Sequence, residues 1–277
     1  MWWETLLFFA LGTCVGSFMN VCIYRLPRGL SIVKPGSHCP LCGTPIEWYD
    51  NIPIFSFLAL GGRCRRCKAG ISARYVLVES VTGALFAFAA YKLRALEGYS
   101  YGLVGAYLFL VAGLVVSTFT DIELQIIPDR ITLGGMALAP VMSVVVPGLH
   151  EEFSLLGSGP GKERLDSLIA CVIGIAVGAG MLYIVGFLGK LVLQEEAMGG
   201  GDVKLMGMVG GFLGWQGAIM TFFLGAIIAA AFGIALLLRR RQRVIPFGPF
   251  LSAAAVAVTF YGDEIWAFLA AVYAGGM

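Results

Sequence analysis

Charge is what this sequence has least of. Asp, Glu, Lys and Arg make up 13% of its 277 residues, against 58% hydrophobic ones, where a soluble globular chain carries about 25% charged residues. So few charges cannot cover an ordinary aqueous surface, and a mean hydropathy of +0.86 makes lipid the solvent for most of the chain. The formal net charge is only +2, which gives no ground for a nucleic-acid partner. The opening Met1-Trp2-Trp3-Glu4 lacks the basic n-region of a secretory signal, so the first apolar run is expected to stay in the mature protein as a helix. Internal repeats and low-complexity tracts are also missing.

What is present is a series of apolar runs near the length that crosses a bilayer, about 20 residues. They predict helices near 5–24, 75–95, 101–120, 131–147, 167–189, 203–215, 217–238 and 249–270, the sixth short for a full crossing. The expected fold is therefore an all-α polytopic membrane protein of about eight transmembrane segments. Basic residues orient it, because cytoplasmic loops retain Lys and Arg. The loop from Arg25 to Arg74 holds Arg25, Arg28, Lys34, Arg63, Arg65, Arg66, Lys68 and Arg74, and Arg239, Arg240, Arg241 and Arg243 crowd the loop after the seventh run. Eight alternating spans put both clusters on one face with Arg130, Lys190 and Lys204, so that 15 of the 19 basic residues share it. Only Lys92, Arg94, Lys162 and Arg164 fall on the other face, where both termini are expected. Three parts follow: a first transmembrane helix (1–24), a cytoplasmic loop domain (25–74) and a membrane core (75–277).

The loop contains Cys39-Pro-Leu-Cys42 and Cys64-Arg-Arg-Cys67. Two C-x-x-C pairs can each present two thiolates and together close a tetrahedral zinc site. A loop this small buries too little apolar surface to order itself, and a metal would supply the missing energy. Disulfides are rare on the reducing cytoplasmic side, so a structural zinc ion is expected. His38 is then a neighbour of a full tetrahedron. Cys14, Cys22 and Cys171 lie in or beside apolar helices and are assigned no role.

Ionisable residues at membrane depth are functional candidates. Asp121 ends the apolar run from Phe109 to Thr120, and Asp202 closes Gly199-Gly200-Gly201-Asp202. The charge count places both acids at the cytoplasmic mouths of separate helices. The three glycines leave room for another backbone to approach Asp202. Two such acids can share a proton, leaving one ionised base and one neutral acid without any metal or nucleophilic side chain. Glu123 and Lys204 stand close enough in sequence to tune the pair. Bland readings exist as well: Asp121 as a helix-end cap, Asp202 as an N-cap with Lys204 beside it, and Pro128-Asp129 as the start of the next helix with Asp129 its cap. From the pattern alone, a peptidase dyad and a cation site in a transporter are both open.

The motifs taken together resemble the bacterial type IV prepilin peptidase family. Gly16-Ser17-Phe18-Met19-Asn20-Val21 with Tyr24-Arg25-Leu26-Pro27 looks like its opening signature, and the two cysteine pairs, Asn51-Ile52-Pro53, Arg74-Tyr75 and Glu79 follow in order. Asp121 with Ile127-Pro128-Asp129, Gly199 to Asp202 with Lys204, and Ile245 to Phe250 complete the match. The resemblance implies an enzyme of the bacterial inner membrane with Asp121 and Asp202 as catalytic aspartates. It implies prepilins and pseudopilins as substrates of pilus and type II secretion systems, each with a short basic leader, a glycine before the cut and a hydrophobic helix after it. It also implies methylation of the new N-terminus by S-adenosylmethionine, associated with the first loop. Glu47, Asp50, Glu195 and Glu196 are candidates to read the leader's charge. No dinucleotide-type glycine fingerprint is present, so a methyl-donor site must be built otherwise. Asn20, Tyr24, Arg25, Asp50 and Asn51 are candidates as polar groups near the membrane surface, although a snorkelling anchor accounts for Arg25 more simply.

Three alternatives remain in view. A peptidase without methyltransferase activity is one. A transporter would carry paired broken helices in repeats, and no such pairing is evident. A non-catalytic zinc-bearing assembly factor would leave the Gly-Gly-Gly-Asp segment without a purpose.

Overall fold

The computed structural model describes residues 2–93, 100–150, 161–194, 198–238 and 245–275. Arg94, Glu195, Glu196, Arg239, Arg240, Arg241 and Arg243 lie outside the described residues. Among the described residues eight α-helical segments follow one another: α1 (Trp2–Arg25), α2 (Phe55–Ala59), α3 (Arg74–Leu93), α4 (Tyr101–Leu124), α5 (Asp129–Val145), α6 (Lys162–Leu193), α7 (Gly200–Leu238) and α8 (Gly248–Gly275). Among the described residues the only β pairings are two isolated bridges, so the fold is all-α as expected. The runs of residues 2–28, 101–124, 162–192 and 200–238 are long and apolar enough to cross a membrane. Counted over the described residues these runs do not confirm the eight spans expected, although the run 200–238 itself contains two helices. Helix α5 is only 17 residues long and α3 carries Arg74, Glu79 and Lys92, while the sixth and seventh expected segments are two helices that meet at Gly214 within the 200–238 run.

The chain forms two compact units, Met1–Glu97 and Gly98–Met277. Helix α3, expected with the membrane core, packs in the first unit instead. The reason is a seam of small residues spaced four apart, the helical repeat that keeps them on one face. A Cβ on Gly12 would stand 2.8 Å from Gly83 Cα, and one on Gly16 would stand 2.8 Å from Glu79 Cα. Asn20 continues the row, donating from Nδ2 to the Tyr75 carbonyl at 3.1 Å. The pairs 12–83, 16–79 and 20–75 run in opposite senses, so α1 and α3 are antiparallel.

At the foot of α1 the chain turns into the loop. Arg25 does not snorkel there. It is 9% exposed and donates to the Ser31 carbonyl at 2.9 Å and the Gly36 carbonyl at 3.4 Å, so its guanidinium folds the loop's first turn inward. Asp50 and Arg65 form a two-pronged ion pair, Nε to Oδ2 2.7 Å and an amino group to Oδ1 2.6 Å. That pair ties the 48–50 turn to the second cysteine pair, and the Arg65 guanidinium hydrogen-bonded to Asp50 holds its carboxyl below the usual carboxylate range.

In the second unit the core gathers around α7, where every residue from Leu205 to Phe212 is buried. Helix α6 lies against it with almost no gap. A Cβ on Gly174 would overlap the Gly210 carbonyl, and one on Gly178 would overlap the Met206 carbonyl. These glycines let the two helices pack closely, whereas Gly105 and Gly180 have no neighbour within 4 Å of such a Cβ. Helix α7 breaks at Gly214 (φ 69°, ψ −178°), a backbone region open essentially only to glycine. The first half, about 14 residues, spans roughly 21 Å at 1.5 Å per residue, short of a bilayer core of about 30 Å. His150 lies against the break, with Cδ2 3.4 Å from where a Cβ would stand. Its Nδ1 is 3.0 Å from the Ser167 hydroxyl, and burial pushes the imidazole down to about 4.

Candidate active site and metal cluster

Asp121 occupies the last turn of α4, which runs on to Leu124 rather than stopping before the acid. Gln125 takes a left-handed conformation (φ 53°) and donates its N–H to the Asp121 carbonyl at 2.9 Å, ending the helix. Residues 126–128 then turn the chain, and Pro128 stands as the N-cap residue of α5. Asp129 is thus the first helical residue, not the cap, and no side chain caps that helix. Its carboxylate instead accepts from Lys204 Nζ at 2.7 Å. Both partners are substantially exposed, so the pair contributes at most about 1 kcal/mol. Its effect is positional, strapping the start of α7 to the start of α5. Lys204 therefore partners Asp129 and not Asp202.

Asp202 lies in the first turn of α7, whose first residue is Gly200. Its N–H donates to the Gly199 carbonyl at 3.2 Å, so Asp202 is inside the helix and is not its N-cap. The glycines divide their work. A Cβ on Gly201 would press to 3.1 Å from Ile127 Cβ, one on Gly199 would stand 3.3 Å from Asp202 Oδ2, and one on Gly200 would meet nothing within 4 Å.

These turns converge on one cavity of about 220 Å³. Asp121, Gln125, Ile126, Ile127 and Asp129 form one side and Gly199, Gly200, Gly201 and Asp202 the other. Two carboxylates from separate helices thus face one small space beside a wall of bare backbone. Glu123 is exposed on α4 and does not line it. The Asp121 carboxylate is 7% exposed at the residue level and accepts the Gly248 backbone N–H at 2.9 Å through Oδ2. Gly248 is the first residue of α8, so that helix's N-terminus is aimed at the acid. Among the described residues, Asp202 Oδ1 is buried with no hydrogen-bond partner, which leaves it available to a ligand or a water in the cavity.

Gly248 was visible in the sequence only as part of a matched stretch; its N–H was not. A Cβ there would stand 2.7 Å from Asp121 Oδ2 and 3.1 Å from Ile127 Cδ1. Gly248→Val is expected to displace the Asp121 carboxylate and slow catalysis by about 100-fold, read as the rate of substrate cleavage, with little change in melting temperature.

In the first unit the four cysteines of the two C-x-x-C pairs are all free thiols, and their sulfurs lie within 4.8 Å of one another. The two pairs are built alike. Cys39 N–H donates to the Thr44 carbonyl and Gly43 N–H to the Cys39 carbonyl; Cys64 N–H donates to Ala69 and Lys68 N–H to Cys64. The residue four after each leading cysteine takes a positive φ, Gly43 at 67° and Lys68 at 60°. Bridges His38–Pro45 and Arg63–Gly70 close the two turns. Cys39 Sγ and Cys67 Sγ are 3.7 Å apart. A zinc–sulfur distance of about 2.3 Å in a tetrahedron puts sulfurs roughly 3.8 Å apart, so the cluster has the size to hold such an ion.

The five residues named as methyl-donor candidates have separate surroundings. Asn20 is in the α1–α3 seam, Arg25 bonds loop carbonyls, and Asp50 pairs with Arg65. Tyr24 lies under the Arg28 guanidinium at 4.3 Å. Asn51 closes the turn of residues 48–50 through its N–H to the Trp48 carbonyl.

Residues 10–93 match the bacterial peptidase A24 N-terminal domain, and residues 108–234 match the type IV leader peptidase family. A prepilin leader peptidase/N-methyltransferase of Pseudomonas aeruginosa is 35% identical over 92% of this chain and 89% of its own length. The chain belongs to the type IV leader peptidase family. A relative of the same description from Aeromonas salmonicida is 34% identical over 95% of this chain and 93% of its own. One from Myxococcus xanthus is 41% identical over 83% of this chain, which spans 62% of that relative's length. No solved structure matches. Four apolar helices and membership of this leader peptidase family make the chain an inner-membrane enzyme. The boundary between the matched regions, 93 to 108, brackets the division between the two compact units.

Proposed function

We propose that this enzyme removes the leader of type IV prepilins and pseudopilins at the cytoplasmic boundary of the inner membrane and then methylates the new N-terminus. The observation that carries the peptidase half is the shared cavity: Asp121 and Asp202, from the ends of α4 and α7, face one space of about 220 Å³. The two carboxyls hold one proton between them. The ionised one takes a proton from a water in the cavity, and the protonated one gives its proton to the scissile carbonyl oxygen. The glycine wall from Gly199 to Gly201 lets the substrate backbone, with its glycine before the cut, lie against Asp202. The Gly248 N–H fixes the Asp121 carboxylate so that it does not reorient during reaction.

Eight spans with both termini periplasmic would put the dyad and the cysteine loop on the cytoplasmic side, where a prepilin with its hydrophobic segment in the bilayer presents its cleavage site. Cys39, Cys42, Cys64 and Cys67 hold a structural zinc ion that orders the loop. S-adenosylmethionine, when bound, supplies the methyl group. The loop and the adjoining ends of α1 and α3 are the part of the chain that binds and orients it.

The test is incubation of the purified enzyme with a full-length prepilin and a labelled methyl donor, with the product's mass as readout. Loss of the leader with gain of one methyl group is the expected result. Loss of the leader alone would remove the methyltransferase half, and an unchanged prepilin would remove both.

A further inference from the structure

The first unit holds a polar group that neither the dyad nor the cysteine cluster uses. Glu79 is 6% exposed, in the second turn of α3. Its Oε2 accepts the Ile54 N–H at 2.8 Å, and the Ser17 side chain lies beside it. Among the described residues no Lys or Arg pairs with its carboxylate. A buried carboxylate without a cation is costly to keep, so its retention calls for a reason.

Asn20, 1% exposed, is the neighbouring polar group. Its Nδ2 donates to the Gly16 carbonyl at 3.3 Å and the Tyr75 carbonyl at 3.1 Å. Both partners are acceptors, which fixes the amide's orientation. Its Oδ1 is consequently an acceptor, and it is buried without a partner. Because Gly16 packs on Glu79 and Asn20 on Tyr75, the backbone positions of the two residues lie one turn apart along the seam, about 6 Å. The third element is Ile54, with φ 64° and ψ −53° and a three-residue turn closed by Phe55 N–H on the Pro53 carbonyl at 2.6 Å. A β-branched residue at positive φ is strained, and strain of this kind collects at ligand-binding and catalytic positions. Here the strained turn delivers its N–H to Glu79. Half-exposed Ser17 and Ile54 form the outer edge of the group.

The set is rich in acceptors and has no positive charge of its own. We propose that Glu79 and Asn20 bind a primary ammonium group, whose three N–H donors would complete the carboxylate and the orphaned amide oxygen. The inference rests on the methyltransferase reading above, since two molecules in that reaction carry such a group: the newly made N-terminus and the amino-acid end of the methyl donor.

Binding to the full-length enzyme in lipid nanodiscs separates them. One pair of probes is S-adenosylhomocysteine and its analogue without the α-amino group. The other is a processed pilin peptide with a free N-terminus and its N-acetylated form. Wild type is expected to prefer the ammonium-bearing member of one pair by about tenfold or more, the scale of hydrogen bonds to a charged group. In Glu79→Gln that preference should fall to near unity while the uncharged member binds as before; the pair that responds identifies the source. Should Glu79→Gln fail to fold, Glu79→Asp keeps the charge and should retain a preference reduced several-fold. A wild type with no preference in either pair, or a preference that survives Glu79→Gln, overturns the site. A wild type that cleaves prepilin but transfers no methyl group sinks the parent reading instead.

Discussion

Replacing either Asp121 or Asp202 with Asn is expected to lower leader cleavage by about 10³-fold, within the range that positioned acid–base groups contribute. The substitution keeps shape and can keep the Gly248 N–H bond to residue 121, because an Asn carbonyl oxygen accepts as a carboxylate does. What it removes is the group that gains or loses a proton. Folding should therefore change little, and thermal unfolding of the variants should track wild type. Methylation of an already cleaved pilin peptide should persist, since the residues proposed for that half belong to the first unit. Cleavage at more than a tenth of the wild-type rate in either variant would show that the residue is not one of the reacting carboxyls.

The second large effect concerns the cysteines. Wild type is expected to carry one zinc ion per chain, and Cys39→Ser or Cys64→Ser to lose most of it. Metal binding in small zinc modules is worth on the order of 10–16 kcal/mol, more than a loop of this size gains from apolar burial. Helix α2 is five residues long, and the rest of the loop is turns and bridges. Without the ion, the segment from about Ser31 to Ser72 should become open to limited proteolysis, and methyl transfer should be lost. Wild-type protein free of zinc after metal-clean preparation, with the loop still protected, would contradict this account.

The contrast between sequence and structure has a physical pattern. The two acids that line one cavity stood out in the sequence because a carboxylate at the end of an apolar run is expensive and so a candidate for function. The cysteines were legible because their spacing fits one coordination geometry. What was not legible depended on partners far away in sequence. Asp129 looks like a cap, yet Lys204, 75 residues on, claims its carboxylate. Arg25 looks like a surface anchor, yet carbonyls at 31 and 36 bury it. Gly248 reaches Asp121 across 127 residues through a backbone N–H, and a backbone group leaves no mark on residue choice except the absence of a side chain. One helix end slipped for the same reason: α4 continues past Asp121 until Gln125 closes it. The gap read between the sixth and seventh runs is where two helices meet, at Gly214. The Gly12–Gly83 and Gly16–Glu79 contacts explain why α3 joins α1 although apolar length alone groups it with the core.

The most direct test of a single shared site is the cleavage rate of Asp121→Asn, Asp202→Asn and the double variant on one prepilin. Groups that act as a unit are strongly non-additive. If the two carboxyls form one proton-sharing pair, the double variant should be about as slow as either single one. A double variant slowed by roughly the product of the two single effects, about 10⁶-fold from the estimates above, would mean that Asp121 and Asp202 act independently and would contradict the dyad.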